Sequence, residues 1–523
     1  MRPVRVTRRD LLRGGLVAGS LLLVPGPAGR AAAAPLPSLR PGGPPRVGPW
    51  RVLAGSLHDH STDSDGDSAS EAIQTWLYAH REELGVDFAT LSDHSDFFPL
   101  SPARSAAGGT PGEPDLWHRQ AALAARFQGS DYSFLRGFEW TNDQENHLNV
   151  LLSQNWTSRA ITGDAALRMP AFWEWFDADP LSDSNGSGAS FGGGDGVGLF
   201  NHPGDKGVLN WDDYALDAAA ARRMALIEIH GSQGKTGRGD SDAGWYWFAL
   251  SRGWTVSPVM NWDWHTWSGD GVLTAAQPGA DYGVAGHLPG QRSLVLATDS
   301  TPASIRSALL ARRTTATEIP DLWASLRGPG GEWQGSLVTA DGGAPMRVTV
   351  DAGSPTEALH HVEIVSDNGR TGDDYYLGDN PDWMAPHAQL TASYVEQHAR
   401  YTATGRATRK QLAGGGRYDG PPPGTVVASA PLSGTRDTVT LDVPPPSGPS
   451  PRPDGLHFFY AVVYAGSAAA PGYARAWTGP LLSQDVAAAL PETPAPVVLP
   501  VLGLAAGAAA WAVHHRHRAT LES

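Results

Sequence analysis

Between Trp50 and about Ser300 the chain repeats one pattern: a short β-rich run that stops at or near a His, Asp or Glu, then a helical or polar stretch. The runs are "WRVLAGSLH", "VDFATLSDH", "SFLRGFEW", "HLNVLLS", "GVGLFNHP", "MALIEIHG", "TVSPVMNWDWH" and "QRSLVLATD". Strands alternating with helices define an α/β fold. In a barrel of parallel strands all the C-terminal ends open on one face, so side chains at the ends of separate runs collect there. After the first run, Ile73, Trp76, Leu77, His80 and Leu84 fall on one helical face, with Ser68 or Ser70 expected to cap its start and Gly85 its end. "TPASIRSALLARRTTATE" reads as a closing helix and a last short strand.

The residues at these ends are metal-ligand types. His58 and His60, two apart on an extended segment, project to the same side and reach one ion. Asp65 follows in a sharp "SDG" turn; Asp93 and His94 end the second run, Glu139 the third, and His147 flanks the fourth. His202 ends the fifth, and Asp263 with His265 close the seventh. Any one of them, taken singly, is a surface or hydrogen-bonded residue. Their order and spacing change that reading.

The pattern HxH, SDG, [TS]DH, Glu, two separate His and a final DxH resembles the PHP (polymerase and histidinol phosphatase) family of metal-dependent hydrolases, over about residues 48–318. The resemblance implies a distorted (β/α)7 barrel and a trinuclear cluster. His58, His60 and Asp263 would hold one ion, with Glu139 bridging to a second that His147 and His202 complete; Asp65, His94 and His265 would hold the third. Asp93 would orient its neighbours. Two to three divalent ions are expected, and a mixed imidazole and carboxylate set suits zinc, manganese or iron without choosing among them.

Closely spaced ions lower the pKa of a shared water and stabilise charge on transferring oxygens. That chemistry needs no side-chain nucleophile. Glu139 and Asp263 would then act through the ions, while Glu228 and His230, ending the sixth run, are candidates for proton transfer or ligation. Phosphoester hydrolysis comes first as the reaction class, because the family is associated with it. A carbaryl-hydrolase-like branch keeps carboxylic or carbamate aryl esters as an alternative, and a non-catalytic surface binding protein is a third reading. Phosphate would call for cations, and Lys206, Lys235, Arg238 and Arg136 are the candidates. An aryl group would call for aromatics: Trp264, Trp140, Trp262 and Trp267 flank ligand residues, and Trp245 and Trp247 lie close by. His80 is assigned to packing, and His118, His287, His360, His361, His387, His398 and His457 to solvent or local contacts. Asp59, Asp63 and Asp67 read as turn formers with solvated carboxylates.

Past Pro320 the texture changes to alternating strands and Gly/Pro-rich turns, which reads as a small C-terminal β-sandwich over 321–484 with an irregular insertion. Within it "PPPSGPSPRPDG" reads as an exposed loop. Residues 1–34 resemble a twin-arginine export signal, with "TRRDLLR" ahead of a short apolar run. Residues 495–513 are uncharged and are followed by "HHRHR", so they read as a single transmembrane helix with a basic cytoplasmic tail over 514–523. These ends imply an exported protein anchored in the cell membrane with its catalytic part outside. A formal charge of −15, without clustered Lys and Arg, argues against a nucleic-acid surface. The absence of cysteine excludes disulfides and thiolate ligands. The expected partner is a small ester or phosphoester; nothing in the sequence sets the oligomeric state.

Overall fold

The computed structural model describes residues 43–98, 116–129, 131–142, 145–158, 168–181, 191–203, 211, 214–229, 243–267, 290–340, 344–367, 424–467 and 472–485. The proposed signal, the transmembrane segment and tail, His230, Lys206, Lys235 and Arg238 lie outside them. Among the described residues no helix is long and apolar enough to cross a membrane.

The eight runs and the closing strand are all strands: β1 (Arg46–Val47), β2 (Trp50–Ser56), β3 (Phe88–Leu91), β4 (Ser133–Trp140), β5 (Leu148–Leu151), β6 (Val197–Phe200), β7 (Met224–Glu228), β8 (Ser257–Val259), β9 (Arg292–Ala297) and β10 (Thr314–Thr317), β1 being a short addition to β2. They form a sheet in the order β10-β9-β2-β3-β4-β5-β6-β7-β8. Side-chain hydrogen bonds bring the two ends together, since Thr314 Oγ1 donates to the Pro258 carbonyl at 2.9 Å and Ser257 Oγ donates to the Arg312 carbonyl at 2.9 Å. The strands are not all parallel, as the sequence reading assumed. β5 runs antiparallel to both β4 and β6, and β9 antiparallel to β2 and β10. Residues 141–147 are too few for the crossover of a dozen or more residues that a parallel β4–β5 pair needs.

Five helices are described: α1 (Ser70–Leu84), α2 (Leu116–Arg126), α3 (Arg168–Asp177), α4 (Ala243–Ser251) and α5 (Pro302–Leu310). In α1 the apolar spacing places Ile73, Leu77 and Leu84 in the core, while His80 is half-buried, bonded to Glu83 at 2.9 Å and tilted against Trp76. Gly85 ends the helix at φ 61°, where a Cβ is disfavoured. The expected serine cap does not form. Ala69 occupies that position, and Ser70 is the first helical residue.

The C-terminal strands are β11 (Trp323–Arg327), β12 (Leu337–Ala340), β13 (Met346–Gly353), β14 (Leu359–Ser366), β15 (Thr425–Pro431), β16 (Arg436–Val443), β17 (His457–Ala465), β18 (Ala474–Thr478) and β19 (Leu481–Asp485). β11, β13 and β16 make a separate three-stranded sheet. The others join the large sheet, because β18 pairs with β10 through Thr315 and Thr478. One apolar cluster unites residues of both sheets, including Val348 and Val350 of β13 with Val362 and Ile364 of β14. The "PPPSGPSPRPDG" loop is not wholly exposed. Arg452 is buried, and its guanidinium donates to the carbonyls of Leu250, Gly253 and Trp254, each at 2.9 Å, closing the C-terminal end of α4.

Candidate metal centre

The segment after β2 that carries His58 and His60 lies alongside the segment carrying Asp263 and His265. Asp263 N–H donates to the His58 carbonyl at 2.8 Å, and His60 N–H donates to the Trp264 carbonyl at 3.0 Å. Asp67 N–H then reaches the His265 carbonyl at 2.9 Å, so the acidic turn is tied to the same segment. Ligand types about two hundred residues apart are thereby fixed by backbone pairing. On the other flank Glu139 N–H donates to the Asp93 carbonyl at 3.1 Å, which sets His94 beside Glu139.

All nine candidate ligands meet at this point. His58 Nε2 lies 3.3 Å from Glu139 Oε1 and 3.4 Å from Asp263 Oδ1, while His60 Nε2 lies 3.1 Å from Asp263 Oδ1. Glu139 Oε1 is also 3.0 Å from His147 Nδ1 and 3.3 Å from His202 Nε2. Toward solvent, Asp65 Oδ1 stands 3.2 Å from His265 Nε2 and 3.6 Å from His94 Nε2. The groupings overlap more than the resemblance implies: His60 reaches the Asp65, His94 and His265 group, and His202 groups with His58 and Asp263. Asp65 alone is substantially exposed, at 45% of its side chain, so the centre opens on that side.

Electrostatics reflect the crowding. Burial would raise Glu139 and Asp263, but the surrounding imidazoles outweigh it and hold both carboxyls well below their ordinary range. Burial pushes His58 down, yet the Asp263, Glu139 and Glu228 carboxylates carry it well above its usual value. His60 falls to about 3, through burial and the neighbouring His94 and His265. Buried polar atoms normally find a hydrogen-bond partner. Here Glu139 Oε2, Asp263 Oδ2 and His202 Nδ1 are buried without one. Glu139 Oε2 is only 2.7 Å from His94 Nδ1, but out of hydrogen-bond alignment. Imidazoles and carboxylates crowded this closely, with buried polar atoms left without a hydrogen-bond partner, are the arrangement that divalent cations satisfy, so the residues present fit such ions. His202 and Asp263 also have positive φ, 29° and 50°, and Asn146 before His147 has 86°. Non-glycine residues rarely adopt that region, and it concentrates at functional sites.

Residues behind the ligands hold them in place. Glu228 is fully buried on the far side of His58: Oε1 is 3.0 Å from His58 Nδ1 and accepts from Asn261 Nδ2 at 2.7 Å, and Oε2 accepts from the His202 N–H at 2.6 Å. A proton on His58 Nδ1 would face this carboxylate, leaving Nε2 directed at the centre. Glu228 therefore stands behind His58 and outside the cluster of nine. Asp93 accepts from Ser61 N–H at 2.7 Å, Ser64 Oγ at 2.7 Å and Gln120 Nε2 at 3.1 Å, so it shapes the turn between His60 and Asp65. Burial lifts its carboxyl to about 6. The sequence reading missed Asn149, Asn201 and Asn261. Asn201 Nδ2 donates to Glu139 Oε1 and Asn149 Oδ1, both at 2.8 Å, and Asn149 Nδ2 reaches Ser92 Oγ at 3.0 Å. The available signal was position, each asparagine sitting within two residues of a ligand.

Several expectations are corrected. Asp59 is not solvated: it is buried, accepts from Trp264 N–H at 3.3 Å, and burial raises its carboxyl well above the usual range. Arg136 does not face the centre; it lies over the Trp117 ring and donates to the Ser153 carbonyl at 2.6 Å. Trp140, Trp245, Trp247, Trp262 and Trp267 are buried core residues rather than pocket walls, and only Trp264 is half-buried. Trp267 Nε1 donates to the His60 carbonyl at 2.9 Å, a framing contact. A cavity of about 440 Å³ opens beside the acidic turn, lined in part by Thr62, Asp63, Arg119 and Arg126. Arg119 bonds Asp63 at 2.8 Å.

No family model matches the sequence, and no curated protein does. Among solved structures the chain is similar to a two-domain protein from Bacteroides vulgatus containing a predicted PHP-like metal-dependent phosphoesterase, at 14% identity and a TM-score of 0.35, covering 64% of this chain and 83% of that one. A likeness of that degree does not define a function. What the chain itself presents is an α/β protein with a cluster of histidines and carboxylates able to hold metal ions.

Proposed function

We propose that the chain is a metal-dependent hydrolase of the PHP type, and first a phosphoesterase. The observation that carries this is the convergence of nine ligand-type side chains with buried polar atoms that lack a hydrogen-bond partner. In this reading β2 to β8 are the seven strands of the distorted (β/α)7 barrel, β9 and β10 extend its sheet beside β2, and the later strands form the β-sandwich. His58, His60, Asp263 and Glu139 would hold one ion, Glu139 with His147 and His202 a second, and Asp65, His94 and His265 a third.

Bound divalent ions would supply Lewis acidity and an activated water for ester hydrolysis. The protein's own residues do the rest. Glu228 keeps the His58 Nε2 lone pair aimed inward, Asn201 fixes Glu139, and Asp93 holds the turn that presents Asp65 at the open side. Arg119 and Arg126 line the cavity beside that turn, but none of the nine side chains lines it and each arginine pairs with an acid, Asp63 and Glu71, so the cavity does not bear on the substrate. Burial of the tryptophans removes the observation that favoured aryl esters. Zinc, manganese and iron all suit the ligand set.

The test is a panel of phosphomonoesters, phosphodiesters and aryl carbamates on metal-loaded protein. Turnover of phosphoesters above the others supports the proposal; metal content without turnover of any ester supports a binding protein instead. The paired arginines near the start and the uncharged stretch near the end support a further proposal, that the protein is exported and tethered to the cell membrane. Cell fractionation finding it only in the soluble cytoplasm would overturn that.

A further inference from the structure

On β14, away from the centre, two adjacent histidines face the same way. Neighbours on a strand normally point to opposite faces. Here the register against β17 shifts between Leu359 and His361, so that His360 is the extra residue of a bulge. The bulge turns both imidazoles together, with their Nδ1 atoms 2.7 Å apart. Each ring is held from behind. His360 Nε2 is 3.0 Å from the Tyr473 hydroxyl. His361 Nε2 faces Glu363 Oε1 at 3.7 Å, and the His361 ring stacks on Tyr464 at 4.1 Å between centroids. Tyr464 in turn donates to Glu363 Oε2 at 2.8 Å, which fixes the carboxylate.

We infer that His360 and His361 form a second metal site, independent of the hydrolytic centre, for a divalent transition-metal ion of tetragonal geometry, with copper(II) the best fit. A carboxylate or hydroxyl on the distal nitrogen is the usual support of a metal-bound imidazole, because it fixes ring orientation and proton position. At metal–nitrogen distances of about 2.0–2.1 Å, a 2.7 Å separation subtends roughly 80° at the ion. That is close to the 90° of a square-planar or octahedral site, whereas a tetrahedral ion needs nitrogens about 3.3 Å apart. Without metal the same geometry accommodates one shared proton: the Tyr473 hydroxyl donates to His360 Nε2, and His360 Nδ1–H donates to His361 Nδ1. Metal binding moves the His360 proton to Nε2, where it donates to the Tyr473 oxygen, so neither ring needs to lose a proton.

The experiment is copper(II) titration of the full chain, its hydrolytic centre already loaded with zinc, followed by electron paramagnetic resonance and a hydrolysis assay. One copper per chain with coupling to two nitrogens is expected. The signal disappears in His360→Ala and in His361→Phe, the latter keeping the stack on Tyr464, while zinc content and ester hydrolysis stay unchanged in both. A two-nitrogen copper signal that persists in either variant, or its absence from the unmodified protein, overturns the site.

Discussion

Glu228→Gln is the sharpest perturbation of the centre, because it keeps size and shape and removes only charge and one acceptor. Glu228 accepts at Oε1 from Asn261 and faces His58 Nδ1 there, while Oε2 takes the His202 N–H. A glutamine must turn its NH2 group toward one of these sides. Toward His202 it opposes a backbone donor at 2.6 Å; toward Asn261 it opposes an amide NH2 at 2.7 Å. Asn261 cannot flip to compensate, since its Oδ1 already accepts from Leu57 N–H at 2.7 Å and Ser293 Oγ at 2.8 Å. A buried donor left unsatisfied costs about 1–3 kcal/mol. Loss of the carboxylate behind a ligating histidine lowers metal affinity by about 10–100-fold. Competition against a chelator of known affinity measures the second effect, and thermal unfolding of metal-free protein the first. Affinity within twofold of the unmodified chain would refute the claim that Glu228 fixes His58 as a ligand.

Asp65→Asn removes a carboxylate from the exposed group only, so it should lower bound metal by about one ion while leaving the unfolding temperature of metal-free protein nearly unchanged; loss of all metal would contradict separate inner and outer groups. The pH dependence has a definite sign. Glu139 and Asp263 are held below their unfolded values of about 4, so the stability they contribute to metal-free protein is present above that pH and lost as pH falls through their folded pKa values. Melting curves in acid should show this loss, and Asp263→Asn should make it shallower; an equal slope in the variant would count against it. Arg452→Ala leaves the carbonyls of Leu250, Gly253 and Trp254 without their buried donor, at a cost of about 2–4 kcal/mol, read by urea unfolding as a lower midpoint. An unchanged midpoint would show that water replaces the guanidinium.

Strand positions and ligand types were legible because each rests on a local property: β-branched runs read as strands, and only a few side chains bind hard or borderline metals. The direction of β5 was legible in principle from the short 141–147 connection, but the barrel expectation overrode it. The buried asparagines were legible only by position, because Asn149 in β5 and Asn201 and Asn261 just past β6 and β8 look like turn formers until those strands are brought together. Asp59 failed for a similar reason: between two ligands its side chain must point the opposite way, and whether that side is solvent or the Trp264 segment depends on residues two hundred positions later. Arg452 shows the same limit, since a Pro-rich loop gives no sign that one guanidinium will close a distant helix.

The central claim is that the nine side chains hold metal. Elemental analysis of purified, dialysed protein by inductively coupled plasma mass spectrometry tests it most directly. Two to three transition-metal ions per folded chain are predicted, falling in Asp263→Ala and His58→Ala variants that remain folded by circular dichroism. Metal near zero after exposure to zinc, manganese and iron, or a content that these variants leave unchanged, would contradict it.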